Sequence, residues 1–97
     1  MASSKEYLIY ILEQLSETEG VRYRPMMGEY ILYCRGKVVG GIYDDRLLAK
    51  ATRTAQYMLP DAARELPYPG GKEMLLVEDV ENKSFLQKLL EAVAEEV

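Results

Sequence analysis

From Val21 to Lys50 the apolar residues recur at nearly every second position, whereas on either side of that stretch they recur at the spacing of a helix. A period of two is the mark of a strand, because successive side chains leave opposite faces of the backbone. Tyr30, Leu32 and Cys34 fall on one face, and Ile31 and Tyr33 on the other. Arg35-Gly36 is placed for a tight reversal, since Gly36 can take the positive φ that a hairpin turn demands. Residues 37–43 then return as a second strand, Asp44-Asp45 makes the next turn, and residues 46–50 form a third strand. Gly40 and Gly41 interrupt the second strand. Adjacent glycines there predict a bulge, or a neighbouring group packed closely on the backbone.

Helices flank this stretch, with two further strands before the last of them. Ser3 and Glu6 have capping-box spacing, and Tyr7, Leu8, Ile11, Leu12 and Leu15 share one face, which predicts a helix over residues 4–17 with Gly20 as its stop. Thr52 is a candidate N-cap for a short helix to Met58, and Pro60 prevents its continuation. Residues 63–68 read as a short edge strand, because Pro67 cannot donate to a ladder, and residues 73–77 as a further strand after the Pro69-Gly70-Gly71 loop. The last helix starts near Asn82 and carries the stripe Phe85, Leu86, Leu89, Leu90 and Val93. Glu78, Asp79 and Glu81 favour its macrodipole, whereas Glu95 and Glu96 oppose it, so its last turn is expected to fray.

Helices and strands do not strictly alternate, which argues against a parallel doubly wound sheet. The expected fold is α+β in two layers: an antiparallel sheet of about five strands with helices packed on one face, ordered helix, three-strand meander, short helix, two strands, helix. At 97 residues the chain fits one domain spanning 1–97, able to bury about two-thirds of its unfolded surface. It contains no histidine, which closes Ser-His-Asp and Cys-His mechanisms, and its one cysteine leaves a thiolate zinc site without ligands. No enzyme activity and no cofactor are expected. A lone cysteine, the lack of a leader-like N-terminus and the lack of a long apolar run make the cytoplasm the expected location and a membrane an unexpected partner. Net charge is −4, yet residues 21–53 hold seven basic against three acidic residues, a basic centre between acidic ends.

Met26-Met27-Gly28-Glu29-Tyr30-Ile31-Leu32-Tyr33, followed by Gly36, Ile42, Asp44 and Lys50, resembles the N-terminal domain of the TfoX/Sxy family. These are bacterial proteins named for a regulator of DNA-uptake competence, and Leu66-Pro67-Tyr68 resembles their segment before the last strand. The resemblance covers essentially the whole chain and is closest to short members carrying this domain alone. Met27 and Glu29 stand where the family commonly has phenylalanine and glycine. The resemblance implies an antiparallel sheet packed by helices and no known catalytic activity. The longer members carry a C-terminal domain that this chain is expected to lack.

A candidate interaction surface comprises Arg22, Arg24, Met26, Met27, Gly28, Arg35 and Lys37. Arg22 and Arg24, two apart on an extended segment, share a face suited to a carboxylate or phosphate, with Tyr23 turned to the core. Met26 and Met27 read either as an adaptable binding surface or as gap-filling core residues beside a structural glycine, and the core reading is the expectation. Asp44 and Asp45 read as turn residues, since a calcium loop needs further oxygen donors at fixed spacing. Cys34 reads as buried, and Pro69-Gly70-Gly71-Lys72 lacks both the Walker pattern and the following helix of a phosphate loop.

Three functions follow from these readings. The first is a non-catalytic protein-interaction module whose partner is a protein, a second copy of the chain included. The second is a nucleic-acid-linked regulator of transcription or competence, which requires Arg22, Arg24, Arg35, Lys37, Lys50 and Arg53 to converge. The third is a small enzyme using a carboxylate or tyrosine, such as Glu29, Asp44 or Tyr30.

Overall fold

A computed structural model describes residues 2–97. The chain runs α1 (Lys5–Gln14), β1 (Val21–Met26), β2 (Glu29–Cys34), β3 (Lys37–Ile42), β4 (Leu47–Lys50), α2 (Arg53–Met58), β5 (Arg64–Glu65), β6 (Met74–Leu76) and α3 (Lys83–Glu96). One antiparallel sheet holds all six strands in the order β1-β2-β3-β4-β6-β5.

The sixth strand, absent from the five expected, is β1. Its pairing follows from turn chemistry. Met27-Gly28 has φ values of 52° and 84°, Arg35-Gly36 of 55° and 82°, and Asp44-Asp45 of 53° and 55°. Positive φ at both central residues marks the type I′ turn, whose twist matches the flanking strands. Three such two-residue turns in succession lock the register of a four-stranded meander. In β3 the register slips by one residue, where Leu32 pairs with Gly40 but Tyr33 with Val38, so the extra residue Val39 makes a bulge.

All three helices cover the same face. Leu8 and Ile11 of α1, Ala55 of α2, and Leu86, Leu89, Leu90 and Val93 of α3 pack with Leu32, Cys34, Ile42, Ala49 and Leu75 of the sheet in one core. Ile11, Leu32, Leu86 and Leu89 are wholly inaccessible to solvent, each contributing roughly 1.5–3 kcal/mol over an exposed position.

Thr52 and Asn82 cap α2 and α3, accepting from the Ala55 and Phe85 N–H groups at 3.1 Å. The cap of α1 is Ser4, which accepts from the Tyr7 N–H at 3.1 Å, and not Ser3. Ser3 is diverted because its hydroxyl donates to Glu29 Oε1 at 2.6 Å. Residues 15–17, expected in α1, form turns. The edge strand expected over 63–68 shrinks to two residues, since Pro67 ends the pairing. The last turn of α3 is helical through Glu96, whose carboxylate accepts the Thr54 N–H at 2.8 Å in the first turn of α2. The charge that opposes one helix dipole thus favours another. No helix among the described residues is long and apolar enough to cross a membrane.

Candidate functional site: the uncovered face of the sheet

Strand alternation sends half the sheet's side chains away from the helices. Leu48, Tyr43 and Met74 form a second, smaller apolar cluster there, with Leu76 beside it. The connection from β5 to β6 contains Leu66-Pro67-Tyr68-Pro69-Gly70-Gly71-Lys72 and folds back over this face. Between that connection and the strands lies a groove of about 600 Å³. Met26, Ile31 and Val38 wall it on one side and Pro67, Tyr68 and Lys72 on the other, with Lys50 and Met74 also lining it. A second hollow of about 690 Å³ continues it, sharing Met26, Tyr43, Pro67 and Tyr68.

The groove is shaped by Gly41. A Cβ built there would lie 2.5 Å from the ring of Tyr43 and 2.7 Å from the Tyr30 carbonyl oxygen. The missing side chain lets the Tyr43 ring lie back on the strand, and its centroid stands 6.4 Å from that of Tyr68. Burial raises the Tyr43 hydroxyl pKa above its ordinary value, and Tyr68 and Glu29 add to the effect. Gly40 on the helix side is equally constrained, since a Cβ there would meet the Leu48 carbonyl oxygen at 2.2 Å. The glycine pair therefore combines both expected features, a bulge beside it and close packing on it.

At one end of the meander a polar clasp holds the chain start to the sheet. Glu29 Oε1 accepts from the Ser3 N–H at 2.9 Å and from the Asp44 N–H at 3.2 Å, besides the Ser3 hydroxyl. Asp45 Oδ1 accepts from the Ser4 N–H at 2.8 Å, and the Asp45 N–H donates to the Ser3 hydroxyl at 3.1 Å. Asp44 and Asp45 are thus turn residues with a tethering role. Among the described residues no three histidine, cysteine, aspartate or glutamate side chains form a metal-holding group. Cys34 is fully buried, its thiol directed at the Glu19 carbonyl at 3.7 Å, and burial pushes its pKa up.

The seven residues expected to form one interaction surface are divided between the two faces. Arg22 and Arg24 pair across from Tyr33 and Ile31, so they project on the uncovered face and are exposed. Met26 is half-buried in the groove wall. Met27 is 96% exposed at the turn tip with Gly28, so the core reading is wrong for Met27. Its cause is the I′ turn, which points the Met27 side chain into solvent. Arg35 reaches Glu91 of α3 at 3.4 Å, and Lys37 donates to the Val97 carbonyl at 2.7 Å, both on the helix side. Arg53 opens α2 on that side too, near Glu96. The six basic residues that a nucleic-acid surface was expected to need do not converge.

Tyr23 departs from expectation as well. It lies on the face of Leu32 but beyond the helices, 43% exposed, with its ring edge-on to Tyr30 at 5.9 Å. Tyr43 and Tyr68 are the groove residues that sequence reasoning missed. The spacing Gly41-Ile42-Tyr43 carried the only signal, since i and i+2 share a strand face and a glycine leaves room for a ring.

A sequence profile of the TfoX N-terminal domain matches residues 13–92. The chain is also 35% identical, over 95 residues, to an uncharacterised 12.7 kDa protein from the trpE 5′ region of Spirochaeta aurantia, covering 97% of this chain and 83% of that one. With a profile match over most of its length and a relative 35% identical along it, the chain belongs to the TfoX N-terminal domain family.

Proposed function

We propose that this chain is a non-catalytic protein-interaction module of the competence-regulator type, acting in the cytoplasm through the uncovered sheet face. The observation that carries the reading is the apolar groove between Met26, Tyr43 and Tyr68, on a face that no helix among the described residues covers. Tyrosine suits such contacts because it offers large apolar area with few torsions to freeze, and methionine because its flexible thioether adapts to a partner. The free edge of the sheet is a poorer docking element. Arg35 N–H donates to the Gly20 carbonyl, which sets the alternation along β1 so that Pro25 faces the free edge, where it presents no donor.

The enzyme reading loses its residues to structural tasks. Glu29 is held by the clasp, to which Asp44 contributes only its backbone N–H, and Tyr30 packs against the core. The test is photo-crosslinking in a host lysate from positions 26, 31 and 38 in the groove and from position 9 on the outer side of α1, with and without nuclease. Protein adducts confined to the groove positions and indifferent to nuclease support the module. Adducts from position 9 alone, or adducts lost on nuclease treatment, overturn it.

A further inference from the structure

We infer that the occupant of the groove is an extended, acidic segment of a partner protein, with apolar side chains interspersed among its carboxylates. This inference rests on the interaction reading above and specifies the partner's chemistry. Its first support is the charge balance of the uncovered face. Arg35, Arg46, Lys37 and Arg64 are each engaged within the chain, by Glu91, Glu65, the Val97 carbonyl and Gln56 respectively. Among the described residues eight basic side chains are not engaged in this way, and four of them, Arg22, Arg24, Lys50 and Lys72, belong to the uncovered face or its covering loop, whereas Lys5, Arg53, Lys83 and Lys88 lie on the helices. The carboxylates lining the same region are Glu73 and Glu29, and Glu29 is held by the clasp. The face therefore carries a local positive balance on a chain of net charge −4.

A second support is shape. The groove runs across the strands, from Met26 on β1 past Ile31 and Val38 to Lys50 on β4 and Met74 on β6. Four inter-strand steps of about 4.8 Å make a crossing of about 19 Å, which about six extended residues span. A single extended chain crossing the strands lays alternate side chains on the apolar floor and toward the cationic rim. Carboxylates placed against Arg22, Arg24, Lys50 and Lys72 gain charge-assisted hydrogen bonds, and the arginines can hold them bidentately.

The test is fluorescence anisotropy of three labelled probes of about ten units: a peptide alternating Glu and Leu, its Lys-for-Glu counterpart, and a single-stranded oligonucleotide. The Glu-Leu peptide is expected to bind, to weaken as salt rises from about 50 to about 500 mM, and to weaken about tenfold or more with Lys50→Glu or Arg24→Glu. Both substituted residues lack in-chain ion pairs, so the variants are expected to retain wild-type circular dichroism. Tyr68→Ala is expected to weaken the same peptide without changing the salt slope. Tighter binding of the Lys-Leu peptide overturns the inference, as does tighter binding of the oligonucleotide. Failure of all three probes, while crosslinks still map host proteins to the groove, overturns the acidic occupant and leaves the interaction module standing. Failure of the probes together with loss of groove crosslinks removes both.

Discussion

Gly41→Ala tests the origin of the groove, because its effect can be worked from two contacts. The new methyl would lie 2.5 Å from Tyr43 Cε2, about 0.9 Å short of ordinary contact at 3.4 Å, and 2.7 Å from the Tyr30 carbonyl oxygen. The ring can retreat, though only toward Tyr68, whose centroid is 6.4 Å away. The carbonyl belongs to β2, whose Tyr30 pairs with Ile42, so it moves only if the β2–β3 register strains. Overpacking of this kind costs about 1–3 kcal/mol, while replacing glycine returns about 0.4–1 kcal/mol through the unfolded chain. A net loss of about 1–2 kcal/mol is expected, which lowers the melting temperature by roughly 4–16 °C in a domain of this size. Calorimetry on wild type, Gly41→Ala, Tyr43→Ala and the double variant separates the two contacts. The penalty should fall by about half in the Tyr43→Ala background, the remainder belonging to the carbonyl. Gly40→Ala should cost more and should not couple to Tyr43, since the Leu48 carbonyl and Ala49 Cα that it meets are both backbone. A neutral or stabilising Gly41→Ala, or a penalty indifferent to Tyr43, would refute the account of how the groove is shaped.

Glu29→Gln should destabilise by about 1.5–3 kcal/mol, because the charge that strengthens the three hydrogen bonds at Oε1 is lost and an amide NH2 takes the place of Oε2 against the Asp44 N–H. Hydrogen exchange should accelerate first at the Ser3, Asp44 and Asp45 amides. Met27→Asn should stabilise by about 0.5–1 kcal/mol in urea melts, since methionine is held at φ 52° in a turn that prefers Asn-Gly. An unchanged midpoint would mean that the turn tolerates methionine without strain. Glu96→Gln should be less stable than wild type at neutral pH. The Thr54 hydrogen bond lowers the Glu96 pKa, so its contribution is present above the ordinary value near 4.5 and is lost as pH falls through the lowered one. The gap in melting temperature between the two proteins should therefore close on acidification, and a gap that widens would reverse the assigned direction.

Features written locally in the chain were legible in the sequence. The alternation from Val21, the reversals at Arg35-Gly36 and Asp44-Asp45, and the caps Thr52 and Asn82 depend on residues within a few positions of one another. Features set by distant partners were not. Ser3 has the spacing of an N-cap, yet Glu29 claims its hydroxyl from 26 residues away. Glu96 opposes its own helix dipole, and the compensating helix terminus lies 42 residues earlier. Met27-Gly28 is a case between these, since the turn is local but methionine is an unusual residue at positive φ. Missing that turn concealed β1 as a paired strand and with it the placement of Arg22, Arg24 and Met26 along one wall.

The division of the basic residues follows from the same register. Along β1 and β2, residues facing Leu32 turn toward the helices and residues facing Ile31 turn away, so a one-residue slip would exchange the two sets. Three successive I′ turns leave no freedom for that slip. Arg22 and Arg24 are thereby committed to the uncovered face, while Arg35 in the second turn and Lys37 just after it come within reach of the acidic flank and carbonyl end of α3. Part of the basic centre thus neutralises a helix, and part remains beside an apolar groove that Gly41 and the Pro67–Lys72 loop define. The same local turns that set the register therefore place Arg22 and Arg24 on the face that carries the groove.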